Sequence, residues 1–215
     1  MKFLLTGFDP FGGEAINPAF EAVKRLPDEI DGHTIIKQEI PTVFQESIRV
    51  LKEAIERVEP DWVIAVGQAG GRFAFTPEKV AINYDQARIP DNAGNQPMDQ
   101  AIREGGPVGY FSSLPINQIV KSCQANAIPA AVSYTAGTFV CNHIFYGLMD
   151  TIAQSSPETR GGFIHVPFLP EQVISKKDMP FMSLEMLTKA LELAIRACIE
   201  NPDDLVGEVA GGEIA

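Results

Sequence analysis

Three cysteines and three histidines are the chain's readiest sources of a nucleophile and a general base. Cys141 lies in Gly137-Thr138-Phe139-Val140-Cys141-Asn142, where a strand-like run gives way to a helical pattern. A thiol at a helix start feels the positive end of the helix dipole, which favours the thiolate. The competing reading is a small buried hydrophobe, the usual fate of a free cysteine. Cys123 and Cys198 fall on helix faces without such a setting and read as packing residues. A nucleophilic cysteine needs a base. His143 is two residues from Cys141 on the same helix, and positions i and i+2 do not face each other. His33 opens a strand with nothing notable around it. His165 comes near the carboxyl end of a buried strand, just before Pro167, on the rim that should also carry Cys141. By elimination it is the better base, although a hydrogen-bonded histidine at a strand end explains it equally well.

The third role is an acid that orients the imidazole. Glu78 stands in Thr76-Pro77-Glu78-Lys79-Val80-Ala81-Ile82-Asn83, and a charge in such a β-rich stretch reads first as a solvated strand face. Arg72 and Arg88, near loops rich in Gly or Asp, are oxyanion partners or plain surface charges. Gly7-Phe8-Asp9-Pro10-Phe11-Gly12-Gly13 reads as a tight turn after the first strand. Its spacing fits neither the dinucleotide fingerprint nor the P-loop, and no lysine follows the glycines. Phe8 and Phe11 either fold back into the core or stand as walls for a flat apolar ligand.

The elements that must position these residues follow from apolar periodicity. Strands are expected at 2–6, 33–40, 62–66, 128–134 and 162–166, and an extended segment or hairpin at 73–84. Helices are expected at 17–26 (with Asn17 as cap and Pro18 at the first helical position), 44–58, 116–126, 141–153 and 184–198. Residues 88–97 read as a loop. Strands alternating with helices predict an α/β fold, a single-domain α/β/α sandwich over residues 1–215 with a mostly parallel twisted sheet. Ligands of such sheets bind beyond the carboxyl ends of the strands, where Cys141 and His165 fall. The polar, Gly-rich stretch 207–215 is expected to be a loose tail.

Composition narrows the function classes. The formal net charge is −11, which argues against nucleic acid and anionic membrane as partners. No run of about 18 apolar residues occurs, and the first apolar run is too short for a signal peptide. Three unpaired cysteines, with no CxxC spacing, point to a reducing compartment and a cytoplasmic location.

Four segments, in order, resemble the pyroglutamyl-peptidase I family, the pyrrolidone-carboxylate peptidases of bacterial and archaeal type. They are Thr6-Gly7-Phe8-Asp9-Pro10-Phe11-Gly12-Gly13; Gly67-Gln68-Ala69-Gly70-Gly71-Arg72 with Glu78-Lys79-Val80-Ala81-Ile82-Asn83; Arg88-Ile89-Pro90-Asp91-Asn92; and Ser133-Tyr134-Thr135-Ala136 followed by the Cys141 motif. His165, before Val166 and Pro167, sits where that family keeps its histidine, and the likeness spans about residues 2–200. The resemblance implies a Cys141-His165-Glu78 triad, Phe8 and Phe11 around a pyrrolidone ring, and Gln68 and Arg88 at the active site, Arg88 toward the oxyanion. It implies one α/β/α domain, no cofactor or metal, homo-oligomers (dimer or tetramer), and N-terminally pyroglutamylated peptides as substrates. Phe75 stands where the family usually has an aliphatic residue, and is expected to alter the entrance or a subunit contact. Two other readings compete: a phosphate- or nucleoside-handling enzyme using residues 7–13, and a peptide-binding domain without turnover.

Overall fold

Short apolar runs separated by amphipathic helices fold into a six-stranded sheet covered on both faces. The computed structural model describes residues 1–203, so the expected tail at 207–215 lies outside the described residues. In chain order the elements are β1 (Lys2–Phe8), α1 (Pro18–Arg25), β2 (Glu29–Ile30), β3 (His33–Ile40), α2 (Glu46–Val58), β4 (Trp62–Gln68), β5 (Thr76–Pro77), β6 (Val80–Ile82) and β7 (Gly109–Phe111). They continue with α3 (Ile116–Ala125), α4 (Val140–Ser155), β8 (Arg160–Val166), α5 (Pro170–Val173) and α6 (Leu184–Glu200). The sheet order is β2-β3-β1-β4-β8-β5. The four central strands are parallel, and the two short edge strands run antiparallel to their neighbours.

The central strands are buried on both faces, which is why they read as continuous apolar runs. Phe3, Leu5, Ile64, Val66 and Ile164 pack beneath α1, α3 and α6. The alternate residues Leu4, Val63, Ala65 and Phe163 pack beneath α2 and α4. Asn17 caps α1 by accepting the Ala19 N–H at 3.1 Å, a contact of the kind whose loss costs about 1 kcal/mol. From β1 the chain crosses by α1 to β3 on one side, then returns by α2 to β4 on the other. That reversal opens a crevice beyond the carboxyl ends of β1 and β4.

Four expectations need correction. β1 runs on to Phe8, which is therefore a strand residue, and Asp9 N–H still donates to Ile40 O. Gly7 makes no turn. A Cβ there would lie 2.6 Å from Phe20 Cα, so the glycine lets α1 press against the strand. The turn belongs to Gly12 and Gly13, with φ of 67° and 82°. Residues 128–134 form no strand, only isolated bridges from Ala130 to Phe75 and from Ser133 to Glu78. Pro129, which has no N–H to give, lies within that stretch. Phe75 is at neither an entrance nor a surface; it is fully buried in the core under α3 and α6. Among the described residues no helix is long and apolar enough to cross a membrane.

Candidate active site

β4 and β8 lie side by side with Gly67 opposite His165, near the carboxyl end of each strand. Above Gly67 lies the Cys141 sulfur, only 3.0 Å from the place where a Cβ would stand. A glycine at the end of β4 is thus what gives the thiol its room beside His165. The α4 start supports it from behind. Cys141 is the second residue of that helix, and no side chain caps its first turn, which leaves N–H groups for a ligand. Asn142 pins the helix start to the neighbouring hairpin. Its side chain accepts Ile82 N–H at 3.0 Å and donates to Ile82 O at 2.9 Å and Tyr84 O at 3.1 Å.

His165 is buried, with its ring edge-on to Phe163 at 4.8 Å. Its Nδ1 lies 2.6 Å from Glu78 Oε1. With Nδ1–H donated to that carboxylate, Nε2 is the nitrogen left bare as base. Glu78 is 0% exposed, not on a solvated face. It reaches the imidazole because β5 runs antiparallel to β8, with Thr76 opposite His165, and its N–H donates to Phe163 O. Arg72, weighed above as an oxyanion partner or a surface charge, turns inward. Its Nη1 donates to Glu78 Oε1 at 2.7 Å and Thr76 Oγ1 at 2.7 Å, and its Nη2 to Thr135 O at 2.9 Å.

The electrostatics reverse one expectation. Burial pushes the Cys141 thiol up to about 12; Glu78 adds to the rise and Arg72 opposes it. Burial also lowers the His165 imidazole, against the raising effect of Glu78. The resting pair is therefore thiol and neutral imidazole. Packing around the sulfur raises the thiol even though Cys141 is half-buried and lines the pocket, so the helix start does not by itself produce a thiolate.

A pocket of about 320 Å³ opens beside the thiol. Phe8, Phe11, Phe139 and Phe168 supply apolar walls, and Thr42, Gln68 and Arg88 supply polar edges. Phe11 packs on Phe139 with ring centroids 5.2 Å apart. Phe8 does two jobs, since at 3% exposure it also belongs to the core beneath α2 and α4. Gln68 Oε1 accepts from Gln172 Nε2 at 2.9 Å, which fixes its amide. Arg88 is exposed at the pocket edge and makes no hydrogen bond or ion pair with the described residues. The remaining histidines are elsewhere: His33 meets the N-terminal amine at 3.0 Å, and His143 points to the far side of α4 toward Asp85. Cys123 and Cys198 are fully buried.

Sequence reasoning missed Phe168 and Phe139 as walls, Asn142 as the pin of the helix start and Arg72 as the partner of Glu78. Phe168 carried one usable signal, since it follows His165 by three residues on the same rim. In the loop that follows β1, the Asp9 carboxylate takes Thr42 N–H at 2.7 Å and Asn92 Nδ2 at 3.3 Å, so its negative charge weighs against a phosphate there.

A family model described as pyroglutamyl peptidase matches residues 1–201. The pyrrolidone-carboxylate peptidase of Enterococcus faecalis is 58% identical over 212 residues, covering 99% of each chain. That of Bacillus velezensis is 55% identical over 214 residues, covering 99% of this chain and 98% of its own. The crystal structure of Bacillus amyloliquefaciens pyroglutamyl peptidase I superposes with a TM-score of 0.92 at 55% identity, covering 95% of this chain and 99% of its own. A mutant pyrrolidone carboxyl peptidase from the hyperthermophile Pyrococcus furiosus gives a TM-score of 0.90 at 40% identity, covering 94% of this chain and 99% of its own.

Proposed function

The chain belongs to the pyroglutamyl peptidase family, whose members are cysteine peptidases that remove N-terminal pyroglutamate, and we propose that Cys141, His165 and Glu78 carry that reaction here. The observation that supports this most is the Glu78–His165 bond of 2.6 Å beneath a thiol that faces a phenylalanine-walled pocket.

The cycle begins from thiol and neutral imidazole. Cys141 Sγ attacks the carbonyl joining pyroglutamate to the next residue, and its proton passes to His165 Nε2. Glu78 holds the ring through Nδ1 and offsets the imidazolium charge as it forms, and Arg72 keeps Glu78 in place. The uncapped N–H groups at the start of α4, with Arg88 at the edge, stabilise the oxyanion. His165 then gives its proton to the leaving amine. Water, activated by the same nitrogen, breaks the thioester and releases free pyroglutamate.

The pyrrolidone ring is flat and neutral, with two apolar faces and an amide edge. Phe8, Phe11, Phe139 and Phe168 suit the faces, and Gln68 suits the edge. An N-terminal proline has a similar ring but a charged amine, which apolar walls reject by desolvation. We read residues 1–215 as one peptidase domain acting in the cytoplasm, as a dimer or tetramer, on N-terminally pyroglutamylated peptides. Hydrolysis of a pyroglutamyl-aminocoumarin reporter, blocked by thiol alkylation, tests this reading. An inert protein that still binds pyroglutamyl peptides would refute it.

A further inference from the structure

His143 shares the helix of Cys141 yet turns away from the thiol, and it is fully buried. Its Nε2 accepts the Gln45 backbone N–H at 3.0 Å, so that nitrogen carries no proton. Its Nδ1–H is then the donor to Asp85 Oδ2, at 2.6 Å. This imidazole is locked in one neutral tautomer between two partners and cannot serve as the base.

Both partners lead to the pocket. Gln45 has φ of 61°, a conformation that a residue with a side chain adopts only when its surroundings hold it there. It ends the segment 41–45, which contributes Thr42 to the pocket. Phe44, its neighbour, stands edge-on to His143 at 5.2 Å and to Phe139 at 5.3 Å, directly behind the wall formed with Phe11. Asp85 begins the run toward Arg88. The next residue, Gln86, exchanges bonds with Thr138 just before α4: Gln86 N–H to Thr138 O at 3.0 Å, and Thr138 Oγ1 to Gln86 O at 2.8 Å. One imidazole thus ties the nucleophile's helix to the two segments that bear Thr42 and Arg88.

We propose that His143, held by Asp85, is a positioning residue for substrate: its Nε2 fixes Gln45 and so sets the wall and polar edge of the pyroglutamate pocket. The inference rests on the pyroglutamyl peptidase reading.

Asparagine and glutamine form a matched pair for the test. His143→Asn keeps a polar group near the Nδ1 position for Asp85 but leaves Gln45 N–H without an acceptor. His143→Gln reaches the Nε2 position and restores one. With the pyroglutamyl reporter, His143→Asn should raise KM about tenfold or more, on the scale of misplaced pocket contacts, with kcat within about threefold. His143→Gln should recover most of that loss, and Cys141 alkylation without substrate should keep its wild-type rate in both. Equal KM values in the two variants would overturn the inference, as would a kcat loss with slowed alkylation. A measurement on the wild-type protein needs no variant to fold: on titration with free pyroglutamate, the Gln45 amide and His143 ring resonances should shift, and their constancy would also overturn it. Failure of the wild-type protein to cleave the reporter would instead count against the activity reading.

Discussion

Replacing Gly67 with alanine separates the fold from the chemistry. The new Cβ would stand 2.6 Å from Phe163 Cζ, about 0.8 Å short of ordinary contact, and 3.0 Å from Cys141 Sγ, about 0.4 Å short. Both neighbours belong to the site, since the Phe163 ring packs edge-on against His165. Neither contact is to backbone, so the side chains give way and the sheet stays. Overpacking of this kind costs about 1–3 kcal/mol. For a chain of this size each kcal/mol lowers Tm by about 2–4 °C. The effect on turnover is larger. A misplacement of about 1 Å can cost on the order of a hundredfold, so displacing the sulfur and tilting the imidazole by part of that should reduce kcat/KM roughly ten- to a hundredfold. The assay pairs steady-state kinetics on the pyroglutamyl reporter with a melting curve. Gly67→Ala with wild-type kcat/KM would refute the placement of the thiol over Gly67. Complete unfolding would refute the claim that only side chains need yield.

Cys141→Ser should fold and lose nearly all turnover, whereas Cys123→Ser and Cys198→Ser should keep it, because both of those thiols are fully buried in the core and only Cys141 lines the pocket; reporter kinetics on the three variants decide the point. The lowered His165 imidazole stays neutral, and so competent as base, as pH falls past its ordinary value of 6.5, which places the acid limb of kcat/KM below pH 6.5. Arg72 contributes to that lowering, so Arg72→Ala should move the acid limb to higher pH in a pH–rate profile; an unmoved limb would remove Arg72 from the site's electrostatics. Phe11→Ala should cut kcat/KM about tenfold with a small loss of Tm. Phe8→Ala should do the same while costing about 3–5 kcal/mol, because that ring is also core; equal melting curves for the two variants would contradict the division.

The parallel α/β architecture was readable because strands buried on both faces leave unmistakable apolar runs, as at Trp62–Gln68. Cys141 at a helix start and His165 near a strand end were readable for the same reason: both positions follow from local pattern. Glu78 was not. It meets His165 across 87 positions of sequence, through a two-residue edge strand whose pairing no local periodicity announces. Pairing of β6 with β7 across a long intervening loop left no trace either. Phe8 was misassigned because Gly7 looks the same in sequence whether it makes a turn or admits a helix. The raised thiol was not readable either, since a helix start is visible in sequence and the packing around the sulfur, with Glu78 near it, is not.

The central claim is that Cys141 becomes acylated, with His165 Nε2 taking its proton. The most direct measurement is mass spectrometry of the enzyme quenched in acid before the steady state, with the reporter substrate in excess. A pyroglutamyl thioester on the peptide containing Cys141, absent in Cys141→Ser and strongly diminished in His165→Ala, is the predicted result. Reporter cleavage with no acyl group on that peptide, or with one on any other residue, would contradict it.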